Sequence, residues 1–111
     1  MSQESAHHQE PIGSELVQED ASFADIVVQF VEGLDNRLAK MQDAIEKSDF
    51  EALRGAAHQL KGSGGGYGYP ILTELAAELE RFAQSEVLDD CKTALDELKN
   101  TCSCVVVESD A

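Results

Sequence analysis

A length of 111 residues supports one small domain; 42% apolar residues can fill a modest core, while 5% aromatics and no Trp argue against a large aromatic cleft. Twenty-two acids against eight bases leave a net charge of −14, which argues against gripping nucleic-acid phosphates or docking on anionic lipid. There is no room for an ATP-binding catalytic domain, so a kinase is excluded on size and the chain is expected to act beside larger partners.

Residues 1–14, MSQESAHHQEPIGS, lack the basic start and apolar stretch of a secretory signal and read as a flexible polar arm closed off by Pro11 and Gly13. No stretch approaches the ~18 consecutive apolar residues of a membrane span. A cytoplasmic location is expected, and three cysteines, an odd number, agree with it. Glu4 and His7 spell E-x-x-H beside His8, but without a second copy or an apolar pattern they read as solvated tail rather than a di-metal site. Cys102-x-Cys104 lacks a partner pair at finger-like spacing, so no metal site is expected.

The body, residues 15–107, reads as helices, with a tail at 108–111. A short extra helix fits around Glu15 to Asp20. From residue 22, apolar residues recur at threes and fours: Phe23, Ile26, Val27, Phe30, Leu34, Leu38, Met41 and Ile45. Ser22 with Asp25 resembles a capping pair, and Gly33 marks either a bend or a junction of two helices. Ser48, three residues before Glu51, predicts the start of a second helix carrying Leu53, Ala57 and Leu60 into a glycine-rich stretch. Pro70 suits the first turn of a third helix through Ile71, Leu72, Leu75, Leu79 and Phe82. A last helix aligns Leu88, Cys91, Leu95, Leu98, Cys102 and Val105, where cysteine serves as a small apolar residue. Connections of about two to five residues make neighbours antiparallel, predicting an all-α, up-down four-helix bundle.

The second helix is unusual. Gly55, Gly62, Gly64, Gly65, Gly66 and Gly68 crowd one segment, and each interior glycine costs roughly 0.5–1 kcal/mol relative to Ala. Either other contacts offset that, or the segment is a loop. At ~100° per residue, Leu53, Ala57, Leu60, Gly64 and Tyr67 fall within about 40° of one direction, the core face. On the same wheel Lys61 lies at roughly 80°, Arg54 at about 100°, Gly65 near 120°, His58 near 140° and Gly62 near 180°. His58 is thus expected to project into solvent between two bases, beside bare backbone. Residues 52–73 contain Arg54 and Lys61 and no acid. Such surroundings suit a group that becomes anionic, and neutral imidazole is a good nucleophile near pH 7. Attack on phosphorus would give a phosphohistidine whose oxygens Lys61 could neutralise. The stretch fits neither G-x-x-x-x-G-K-[ST] nor G-x-G-x-x-G, since Lys61 precedes the glycines and no strand leads in.

His58-Gln59-Leu60-Lys61-Gly62-Ser63-Gly64, with Gly68 ten residues after the histidine, resembles the signature of histidine-containing phosphotransfer (HPt) domains, H-x-L-K-G-[SA]-[SAG]-x-x-x-G. The resemblance covers approximately residues 20 to 105; Gly65, Gly66 and Tyr67 depart from the residues more usual there. It implies a four-helix bundle and a carrier in a His–Asp phosphorelay, with no kinase activity of its own. His58 would take a phosphoryl group from the aspartate of one response-regulator receiver domain and pass it to another. Lys61 would steady the phosphoryl oxygens, and Gly62 would leave room for the receiver. Any Mg²⁺ would belong to the receiver, so no cofactor is expected on this chain. Arg54 and Gly65 join the site from the helical wheel alone. Partners implied are receiver domains and, as a further candidate, a hybrid sensor kinase, with the chain a monomer. Two other readings remain: an adaptor that binds a receiver or kinase without accepting phosphate, and an acyl-carrier-like protein, disfavoured because no D-S-L occurs.

Overall fold

Apolar spacing of three and four residues commits most of the chain to amphipathic helices, and the computed structural model, which describes residues 10–108, is all-α. In chain order these are α1 (Glu15–Glu19), a 3₁₀ turn (Ala21–Phe23), α2 (Ala24–Glu32), α3 (Leu34–Glu46), α4 (Phe50–Gly66), α5 (Pro70–Ser85) and α6 (Leu88–Cys102). Helices α3 to α6 close a ring in which each packs on two others: α3 on α4 and α6, and α5 on α4 and α6. The core holds Val27, Phe30, Leu34, Leu38, Met41 and Ile45 from the first apolar run, with Leu53, Leu60, Leu72, Leu79, Leu95 and Leu98 from the others.

The three corners between the long helices share one geometry. Ser48, Gly68 and Glu86 all take positive φ, at 53°, 97° and 59°. At each corner that residue's N–H bonds three residues back and the next N–H five residues back: Ser48 to Ile45 and Asp49 to Ala44, Gly68 to Gly65 and Tyr69 to Gly64, Glu86 to Ala83 and Val87 to Phe82. This double bond satisfies the last carbonyls of each helix and turns the chain sharply.

Four local expectations are corrected. Ser48 does not cap α4, because it is occupied in closing α3; Asp49 is the cap, its Oδ1 accepting from the Ala52 N–H at 3.0 Å. Ser22 and Asp25 form no cap either; Asp20 accepts from the Ser22 N–H, and α2 begins without a side-chain cap. Phe23 and Ile26 are exposed at 38% and 46% rather than in the core. The side of α2 that meets the core is Val27 and Phe30 instead, with Phe30 stacked on Tyr67 just past the end of α4. Finally, α6 stops at Cys102, and Val105 is buried through an isolated bridge to Ile12 instead.

That bridge bears on the N-terminal arm. His7, His8 and Glu4 lie outside the described residues, but residues 10–14 are tied to the body. The Ile12 N–H donates to the Cys104 carbonyl, the Val106 N–H donates to the Ile12 carbonyl, and buried Ser14 donates to the Tyr67 carbonyl at 2.7 Å. The Tyr69 hydroxyl donates to the Val106 carbonyl at 2.7 Å, and burial pushes its pKa up to about 12. These bonds pin the corner after α4 from both ends of the chain. Cys91 is fully buried and Cys102 half-buried; burial pushes the Cys102 thiol up to about 11. None of the helices among the described residues is long and apolar enough to cross a membrane.

Candidate phosphoryl-acceptor site

Helix α4 runs unbroken through Gly66, so the glycine-rich stretch to that point is helix and only Gly68 belongs to a turn. Packing explains how. Gly64 is buried, and a Cβ there would lie 2.9 Å from Leu72 Cβ and 3.1 Å from the Thr73 backbone nitrogen. Its missing side chain is what lets α5 approach. Thr73 uses the proximity: its hydroxyl donates to the Lys61 carbonyl at 2.7 Å and accepts from the Gly65 N–H at 2.8 Å. Those are the two ends of one helical rung, so α5 clamps α4 just beyond the histidine. Stacking of Tyr67 on Phe30, with centroids 4.6 Å apart, holds the last turn.

With the helix fixed, Leu53, Ala57, Leu60 and Gly64 face the core, Tyr67 is half-buried, and His58 points outward with 65% of its side chain exposed. The imidazole is not alone. Glu80, on α5, places Oε2 at 3.0 Å from His58 Nδ1 and Oε1 at 2.7 Å from Lys61 Nζ. Only 16% of the Glu80 side chain is exposed, and its carboxyl is held below the usual range. The Lys61 hydrogen bond is the main cause, with the His58 bond adding to it against desolvation. An ionised carboxylate only accepts hydrogen bonds, so the proton of a neutral His58 sits on Nδ1 and the Nε2 lone pair faces solvent.

The surroundings therefore differ from an acid-free basic spot. Residues 52–73 carry no acid, yet the fold brings one in from position 80, and Lys61 rests on it. Two of the three ammonium donors remain for another anion. Gly62 is exposed, with nothing within 4 Å of the position a Cβ would occupy. Gly65 is also exposed, but its bareness serves α5 as well, since a Cβ would lie 3.2 Å from Thr73 Oγ1. Arg54 is exposed one turn before His58, in a concavity with Phe50, Glu51 and Glu86 at the far end of the α4–α5 pair. Among the described residues no hydrogen bond or ion pair joins Arg54 to His58 or Glu80.

Glu80 and Thr73 escaped the sequence reading. The signal for Glu80 was the hairpin register: His58 lies ten residues before Gly68 and Glu80 twelve after it, so antiparallel helices bring them level. Among the described residues no group of three or more His, Cys, Asp or Glu side chains is placed to hold a metal ion.

In comparison with known families, residues 25–105 match the family described as Hpt domain. Comparison with curated proteins and with solved structures gives none.

Proposed function

The chain belongs to the Hpt domain family, and from that premise we propose that it is the histidine phosphocarrier of a His–Asp phosphorelay, with His58 as the acceptor. The family's general role, histidine phosphotransfer between signalling proteins rather than ATP-dependent phosphorylation, comes with membership. What supports His58 in particular is the single chain of contacts Lys61–Glu80–His58 beside open backbone at Gly62.

The transfer follows from that arrangement. The Nε2 lone pair of His58 forms a bond to phosphorus as the bond from phosphorus to the receiver's aspartyl oxygen breaks. The aspartate carboxylate departs with the electron pair. Nδ1 keeps its proton, and the positive charge that develops on the ring faces the Glu80 carboxylate 3.0 Å away. Lys61 turns its unused donors to the phosphoryl oxygens. Passage to a second receiver is the same step in reverse. Positioning and charge neutralisation are what phosphoryl transfer asks of a protein, and the Mg²⁺ and acidic pocket are assigned to the receiver. Gly62 gives the receiver access to the ring. Arg54, exposed one turn before the histidine, is given a role in partner contact in this reading, and Gly65 ties the helix to Thr73 through its N–H.

The test is incubation with phosphorylated receiver domains. Acid-labile, base-stable label should appear on the wild-type chain and vanish in His58→Gln. Label that persists in that variant would move the acceptor to His7 or His8 and refute the assignment.

A further inference from the structure

Resting on the phosphorelay reading, we infer that Arg37 and Lys40 form an anchor for acidic side chains on the rim of the docking receiver, outside the pocket where phosphate moves. Gly33, Asn36, Arg37, Lys40, Ala56 and Gln59 line a concavity of about 340 Å³ between α3 and α4. It lies on the opposite flank of α4 from Glu80, and Gln59 adjoins the acceptor in sequence. Between the two flanks runs a lane without side chains. At ~100° per residue Gly55, Gly62 and Gly66 fall within about 40° of each other, between the directions of His58 and Gln59. None of the three would bring a Cβ within 4 Å of another group, and all are exposed. A partner lying along this lane would reach the imidazole on one side and the concavity on the other.

Charge identifies what the concavity takes. Among the described residues, neither Arg37 nor Lys40 is in an ion pair. The carboxylate one turn beyond Lys40, Asp43, is held by Lys47 at 3.1 Å. Arg37 is half-buried, its guanidinium 5.7 Å from the centroid of Phe30, so it is held in place before any partner arrives. In a chain of net charge −14, an acidic protein meets repulsion over most of the surface. Two cations with no ion-pair partner among the described residues, in a concavity that Gln59 also lines, turn that background into orientation, favouring approach on this face over the others.

The experiment measures transfer from acetyl-phosphate-loaded receiver domains as a function of receiver concentration and salt. It compares Lys40→Glu with Lys92→Glu, an identical charge change at an exposed position on α6. Lys40→Glu should raise the half-saturating receiver concentration by about tenfold and flatten its salt dependence, against less than about twofold for Lys92→Glu. Arg37→Gln should act in the same direction as Lys40→Glu. Equal effects of Lys40→Glu and Lys92→Glu, or none from Lys40→Glu, would overturn the anchor while leaving the carrier reading intact. Should the wild-type chain take no label from any receiver, the carrier reading fails by itself. Calorimetric titration of the same receivers into the same variants then decides the anchor: a selective loss of affinity in Lys40→Glu upholds it, and equal affinities or no binding refute it.

Discussion

The two sides of α4 use the same residue for opposite purposes. On the core side Gly64 removes a methyl so that α5 can come within van der Waals contact; on the solvent side Gly62 removes one that nothing in the chain would have touched. The first omission builds the bundle and the second leaves space for something else. Glycine is unfavourable in a helix at both positions, so the fold offers a reason for Gly64 and none for Gly62. A residue unfavourable for folding and idle in the folded chain is where a partner's requirement shows most plainly.

Substitution separates the two sides. Of the two, Gly64→Ala should be the one that damages stability, by about 1–3 kcal/mol, because Leu72 Cβ and the Thr73 backbone leave no room for the added carbon. Denaturant unfolding would measure it, and a neutral result would mean α5 can retreat without loss. Gly62→Ala should do the reverse, stabilising the helix by roughly 0.5–1 kcal/mol while slowing transfer from a receiver. A variant both more stable and fully active would deny Gly62 its role in access.

A smaller effect concerns Glu80, which joins the two sides. Its carboxyl titrates below the ordinary range in the folded chain, chiefly through Lys61. The stability it confers is therefore present above the unfolded carboxylate value, near 4.3, and is lost as pH falls through the lowered folded value. The difference in unfolding midpoint between wild type and Glu80→Gln should shrink as pH falls from about 4.3 toward 3. A difference that grew over that acid range would contradict the pairing.

Much of this was legible in the residues. The spacing of Leu53, Ala57 and Leu60 set the buried face of α4, and so the outward direction of His58. The stripes of α5 and α6 were equally plain. What escaped were features that depend on where the chain turns. Ser48 reads as a helix start because serine caps well, but it closes the preceding helix in a left-handed conformation usually left to glycine; Glu86 does the same without any sequence signal. Periodicity puts Phe23 and Ile26 in the core with Val27 and Phe30, but it says which way a residue faces and not what packs against it; the fold buries Val27 and Phe30 and leaves Phe23 and Ile26 exposed. Glu80 and Thr73 lie 22 and 15 residues beyond His58, and only the register of the α4–α5 hairpin brings them to the site. The glycines illustrate the point best, since their number leaves helix or loop open in the sequence, while the contacts that keep them helical come from another helix.

The central claim is that Glu80 holds the proton of His58 on Nδ1 and leaves Nε2 to accept phosphorus. Nitrogen-15 NMR of the histidine side chains, before and after phosphorylation, addresses it directly. The resting protein near pH 8 should show His58 protonated at Nδ1, and the phosphorylated protein should show coupling from phosphorus to Nε2 of the same ring. A resting Nε2–H tautomer, or phosphorus bonded to Nδ1, would contradict it.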